Sequence, residues 1–183
     1  AIYDGIVERR KFRDALQAYQ PDVVAITGYI TQENRMRRYA AAAKSICPGC
    51  RVVLGGTHAQ LNFRRLYFPE ADFITRSESM QDFQTFLAAL AGTMAYAAVN
   101  GLCWRKDGIW QENGYHPCDI SLLPVPDRTF RNRHAEAFRY LDYERVSTLK
   151  TAVSCPFSCI FCYGTHLHGG RYQARPVEKV VEE

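Results

Sequence analysis

A chain of 183 residues has room for one full domain and part of another, and its 47% hydrophobic and 23% charged residues belong to an ordinary globular protein rather than a disordered one. No apolar run approaches the roughly 20 residues that cross a bilayer, and no signal peptide opens the chain, so a transmembrane or secreted class is not expected. The net charge of +4 is spread over separate groups (Arg9, Arg10 and Lys11; Arg35, Arg37 and Arg38; Arg131 and Arg133), which read as solvated helix faces and loops rather than as a specific nucleic-acid surface.

The chain opens on Ala1 at what reads as the end of a strand whose earlier part is missing. Residues 5–20 read as a helix with Phe12, Ala15, Leu16 and Tyr19 on one face, stopped by Pro21. Residues 22–27, Asp-Val-Val-Ala-Ile-Thr, are a short continuous apolar run, the mark of a strand covered on both faces in a parallel sheet. A second helix over about 32–46 turns Met36, Tyr39, Ala40 and Ala43 inward. Residues 51–56 form the next buried strand and 71–75 another, and Met80, Phe83, Phe86, Leu87 and Leu90 mark a helix that closes at Gly92. This alternation predicts an α/β domain over 1–92 with a parallel, Rossmann-like sheet. Ligands of such sheets sit beyond the carboxyl ends of the strands, here Gly28-Tyr-Ile-Thr31 and Gly55-Gly56-Thr57-His58. Glycines at those points let backbone approach a bulky ligand; a tight structural turn accounts for them equally well.

From Thr93 the pattern changes. Residues 99–110 read as a hairpin with Asp107-Gly108 at its turn, and Leu122-Leu-Pro-Val-Pro-Asp127 as a proline-stiffened linker, so 93–145 is a connecting region. Residues 146–153 read as a strand that runs into a cysteine cluster, and the chain stops inside what reads as a helix without a stop signal, so 146–183 is the truncated start of another domain.

Seven cysteines without a secretion signal argue against a disulfide framework and for a reducing cytoplasm, where clustered thiols bind metal or do redox chemistry. Cys155, Cys159 and Cys162 stand at spacings that let a loop wrap three corners of a cubane. Four iron corners need four ligands, so three cysteines leave one iron open to a small molecule. Structural zinc is the competing reading, but it prefers four protein ligands, and Cys47 and Cys50 could complete the set only by reaching across the α/β layer. Cys47-Pro-Gly-Cys50 follows a helix rather than leading one, so no helix N-terminus activates a thiol there; it reads as structural, with a redox pair as the alternative. Cys103 and Cys118 read as packing residues.

Cys155-Pro-Phe-Ser-Cys159-Ile-Phe161-Cys162 resembles the cluster motif of radical S-adenosylmethionine (SAM) enzymes, including the aromatic residue before the third cysteine. Residues 170–181 are similar to the segment that enters the first barrel helix in the subgroup with an N-terminal cobalamin-binding domain, and residues 21–28, 53–58 and 123–127 are similar to that domain and its linker. The likeness is to the group of the anaerobic magnesium-protoporphyrin ester cyclase and the cobalamin-dependent radical SAM methyltransferases. Two departures are visible: Arg76-Ser-Glu-Ser-Met80 stands where the group often has Gly-Glu-Gly-Glu, and the strand expected before Ala1 is missing.

The resemblance implies that the three cysteines hold a [4Fe–4S] cluster, that SAM binds its fourth iron, and that reductive cleavage of SAM starts radical chemistry on a small-molecule substrate. An electron donor such as flavodoxin or ferredoxin is implied. Phe161 packs beside the adenine or simply fills the barrel mouth. Cobalamin, bound over Gly28, Thr31, Gly55, Gly56, Thr57 and His58, delivers a methyl group or assists a redox or cyclisation step. His58 is a hydrogen-bonded loop residue or, less in keeping with the group, a cobalt ligand. The alternative from another class is a non-catalytic corrinoid- or flavodoxin-like binding module with a zinc-bound cysteine tail.

Overall fold

A computed structural model describes residues 1–5, 7, 8 and 10–183. The first elements are α1 (Phe12–Tyr19), β1 (Val23–Thr27), α2 (Glu33–Ile46), β2 (Arg51–Gly55), α3 (Thr57–Asn62), β3 (Phe73–Thr75) and α4 (Met80–Leu90). β1 pairs parallel with β2, and β2 with β3, in the register Val24↔Val52, Thr27↔Gly55 and Leu54↔Ile74. The parallel α/β layer expected from the alternation is therefore present, with Gly28 and Gly55-Gly56 leaving adjacent strands at one level.

β2, flanked by β1 and β3, is apolar on both faces: Val52, Val53 and Leu54 are all buried. Successive side chains point to opposite sides. Val52 and Leu54 join Leu16, Val24, Ile26, Met36, Ala40, Leu66 and Ile74 in one core, under α1 and α2. Val53 joins Phe73, Phe86, Ala89, Val99 and Leu102 in the other, under α4. β1 departs from the expectation of a strand covered on both faces. Val24 and Ile26 are buried, but Ala25 and Thr27 are exposed, because β1 is an edge strand and only its α1/α2 side is covered among the described residues.

Asp72 ties the layer together. Its Oδ2 accepts from the Val52 N–H at 2.7 Å and from Lys44 Nζ at 2.6 Å, joining β3, β2 and the end of α2 through one carboxylate. Helix ends follow their sequence signals. The Ser79 hydroxyl accepts from the Gln81 and Asp82 N–H groups at the start of α4, and Gly92, at φ +77°, lies just past its end. α1 is shorter than the 5–20 expected: it starts at Phe12 and ends on a left-handed Gln20, leaving Tyr19 exposed while Leu16 is buried. Ile6 and Arg9, within that expected span, lie outside the described residues.

The hairpin is present as β4 (Leu102–Lys106) and β5 (Ile109–Glu112), turned by Asp107 and Gly108, both at positive φ as a type I′ turn requires. It also extends the sheet: β4 pairs antiparallel with β3, giving five strands in chain order. Arg64 and Tyr67 both bond the Glu112 carboxylate and hold β5 down; this pulls Glu112 well below the ordinary carboxylate range, to about 2.

Beyond lie α5 (Thr129–Arg133), β6 (Ala152–Val153), β7 (Gln173–Ala174) and α6 (Val177–Glu182). The strand expected over 146–153 contracts to β6, paired antiparallel with β7. Backbone carbonyls upstream go elsewhere: Arg128 donates to the Thr148 carbonyl and Arg131 to that of Val146. No helix among the described residues is long and apolar enough to cross a membrane.

Candidate functional site

The carboxyl edge of the parallel strands presents three loops in a row, 28–32 after β1, 56 after β2 and 76–79 after β3. Thr27, Tyr29, Ile30, Thr31 and Gly56 are exposed there, and Gly28, Gly55 and Thr57 are half-buried. In the loops after β1 and β2 the polar atoms on offer include the Thr27, Thr31 and Thr57 hydroxyls and bare backbone.

Each glycine has a reason within the fold. Gly56 sits at φ +88°, ψ −172°, a region open essentially to glycine alone, and a Cβ there would lie 2.2 Å from Thr27 Oγ1. A Cβ on Gly28 would press on Met36 Sδ at 2.9 Å, and one on Gly55 would meet Thr75 Cγ2 at 3.1 Å. Of the two readings the sequence left open, tight packing is therefore sufficient for all three, and bulk at Gly56 cannot by itself report on a ligand.

His58 is buried in the first turn of α3. Its Nε2 meets Glu33 Oε2 at 3.0 Å and its Nδ1 faces Asn62 Nδ2 at 3.4 Å. Arg65 donates to the same Glu33 carboxylate at 2.9 Å. The bonds from Arg65 and His58 outweigh desolvation and lower the Glu33 pKa. Glu33 begins α2, so this network staples the loop after β1 to the loop after β2. Sequence reasoning passed over Glu33, Asn62 and Arg65; the single cue was an acid in the first turn of α2, directly after a glycine loop.

The three motif cysteines follow β6. Cys155 and Cys162 are half-buried and Cys159 is exposed, on a loop that also exposes Phe157, Ile160 and Phe161. Phe161 is 88% exposed, so the described residues leave its ring largely uncovered. No three His, Cys, Asp or Glu side chains among the described residues converge closely enough to hold a metal ion, so the three thiols are not drawn together. Within the loop, the Cys162 N–H donates to the Cys159 carbonyl at 3.1 Å.

Cys47, Cys50 and Cys103 are packing residues of the core, and Cys118 is half-buried outside it. Cys47 caps the end of α2 and Cys50 closes the turn back to it, both buried; desolvation pushes the Cys50 and Cys103 thiols up, away from the reactive thiolate.

Residues 1–86 match the family model described as the B12 binding domain. This part of the chain is similar to the B12-binding domain family. The whole chain aligns at 26% identity with 40% of an uncharacterized methyltransferase of Pyrococcus horikoshii. At 27% identity, 97% of it aligns with 30% of the anaerobic magnesium-protoporphyrin IX monomethyl ester cyclase of Cereibacter sphaeroides. Among solved structures, 92% of the chain superimposes on 23% of the cobalamin-dependent SAM radical enzyme OxsB, with a TM-score of 0.74 at 17% identity. The chain thus spans less than half the length of these relatives, and the resemblance to their group that the sequence suggested holds.

At the carboxyl edge, the loops after β1 and β2 offer hydroxyls and bare backbone, which suits a bulky ligand, while the loop after β3 carries the charged Arg76 and Glu78. The donor set of the cysteine loop, three free thiols with three and two residues between them, suits three irons of a cubane.

Proposed function

We propose that this chain is the cobalamin-holding and cluster-bearing portion of a radical SAM enzyme that transfers a methyl group to, or cyclises, an unactivated carbon of a small-molecule substrate. The observation that carries the reading is placement. The segment that brings the three cysteines, residues 150–170, docks on the loop after β3, on the carboxyl edge where the B12-binding domain presents its glycine loops.

Cys155, Cys159 and Cys162 would hold the [4Fe–4S] cluster and leave one iron to SAM, and Phe161 would flank that SAM. The loops at Gly28–Thr31 and Gly55–His58 would carry the corrin, with Thr27, Thr31 and Thr57 as hydrogen-bonding groups. When bound, the cluster supplies the electron that splits a carbon–sulfur bond of SAM, and cobalamin supplies methyl-carrying or redox chemistry. His58 acts as a staple: its Nε2 faces Glu33, and a cobalt ligand would have to give that contact up. Exposed apolar residues around the cysteines keep water from a reactive centre once they are covered. A cytoplasmic flavodoxin or ferredoxin is the electron donor that fits this chemistry.

The test uses the full-length protein, reconstituted without oxygen. Iron, acid-labile sulfide and the visible cluster absorption should be present in the parent and in Cys47→Ala and Cys50→Ala, and lost in each of Cys155→Ala, Cys159→Ala and Cys162→Ala. Added hydroxocobalamin should give a saturable spectral change. A cluster retained in Cys159→Ala, or zinc in place of iron, would sink the reading.

A further inference from the structure

One carboxylate holds both flanks of the cysteine loop. Glu78 lies between β3 and α4, on the carboxyl edge of the sheet. Lys150, ahead of Cys155, donates from Nζ to Glu78 Oε2 at 3.3 Å. His168, beyond Cys162, brings its Nδ1 to 3.5 Å from Glu78 Oε1. Gln60 of α3 donates to the same Oε1 at 3.3 Å and to the Tyr115 hydroxyl at 3.2 Å, so the carboxylate is itself held in place.

His168 decides the weight of this node. Its side chain has no exposed surface, and its backbone is left-handed at φ +54°. At 3.5 Å its approach to Glu78 is too long for a good hydrogen bond, and neither ring nitrogen has such a partner among the described residues. A buried imidazole without hydrogen-bond partners costs stability, and the Glu78 carboxylate is the group set against its Nδ1. The pair Lys150–Glu78 alone would count for little, since Lys150 is 64% exposed. Next to His168, Gly169 allows the chain to lie against Pro117: a Cβ there would come within 2.8 Å of Pro117 Cγ. The docking is thus close-packed around the node.

We propose that Glu78 is a positioning residue that fixes the cysteine loop against the corrin-facing edge by gripping it before the first cysteine and after the third. What the loop is positioned to hold rests on the function proposed above; the grip itself does not.

Two measurements on the full-length protein test it. In hydrogen exchange, Glu78→Gln should speed the amides of residues 150–153 and 163–170 by about tenfold, the scale of losing one partly buried charged partner. β2 amides should keep their parent rates. Adding Lys150→Met to Glu78→Gln should change nothing more, because both act on one contact. Should Glu78→Gln not fold, Glu78→Asp, which keeps the charge and withdraws it, is expected to give the same confined acceleration. Unchanged rates at 163–170, or equal acceleration in β2, would overturn the proposal. In the reconstituted, cobalamin-loaded protein, paramagnetic resonance should show one narrow cluster-to-cobalt distance in the parent and a broader distribution in Glu78→Gln, at equal iron content. An unchanged distribution would also overturn it. A parent lacking either paramagnetic signal would instead count against the proposed function, and the exchange result would still be decided.

Discussion

The α/β layer and the cysteine segment solve opposite problems. In the layer, position is set by burial: Val52, Leu54, Ile74, Leu102 and Cys103 have no exposed surface, and even the glycines of the carboxyl edge are fixed by what lies next to them. In the segment, Cys159 and the apolar Phe157, Ile160 and Phe161 are on the outside, Cys155 and Cys162 are half-buried, and polar contacts at its two ends hold it. The lesson is that the layer's shape is written into its own packing, whereas the segment's thiols are anchored at their flanks and left free at the centre.

The comparison breaks first at the core. Phe86→Ala in α4 should cost about 3–5 kcal/mol, the range for truncating a buried aromatic, measured by denaturant unfolding. A loss below 1 kcal/mol would mean that the second core is not the determinant it looks. Gly56→Val should come next, with a loss of about 1–3 kcal/mol from backbone strain alone and more from the contact with Thr27. Cobalamin affinity in that variant then follows folding, so Thr31→Val and Thr57→Val are the better probes of ligand binding, since they keep the backbone. Cys103→Ser should cost about 1–3 kcal/mol by taking a hydroxyl out of water into the core.

Acid sharpens the contrast within the layer. Glu112 sits at about 2 when folded, below its ordinary 4.5. A depressed carboxyl binds fewer protons folded than unfolded, so its stabilisation is complete above the ordinary value and fades as pH falls from about 4.5 toward about 2. Protection of β5 amides should fall over that window in the parent and be flatter in Glu112→Gln. The smallest effect belongs to the segment: Cys159→Ala should shift the stability of the metal-free protein by under about 0.5 kcal/mol, as at other exposed sites. A larger loss would show that the thiols take part in the apo fold.

What could be read from the sequence divides along the same line. The runs at 22–27 and 51–55 announced parallel strands because burial imposes a pattern on neighbouring residues, and the cysteines announced themselves by spacing. The antiparallel docking of the hairpin on β3 was not legible, because β4 shows no local sign of which strand it will join. The Glu33–His58–Arg65 staple and the Glu78 node were hidden for another reason. They join residues far apart in the chain, Lys150 and Glu78 being 72 positions apart, and a polar contact at that distance leaves no periodicity behind. β1 misled in one respect: its apolar run resembles that of β2, although its neighbours cover one face alone.

The contact between Gly56 and Thr27 has a consequence for how this protein can drift. Two locks hold Gly56, its left-handed backbone and the Thr27 hydroxyl beneath it, and only the second depends on residue 27. A substitution of Thr27 by alanine removes that lock and leaves the other, so position 27 is free to wander while position 56 stays glycine whatever its partner becomes. The epistasis runs one way, and a library randomised at both sites should return many residues at 27 and one at 56.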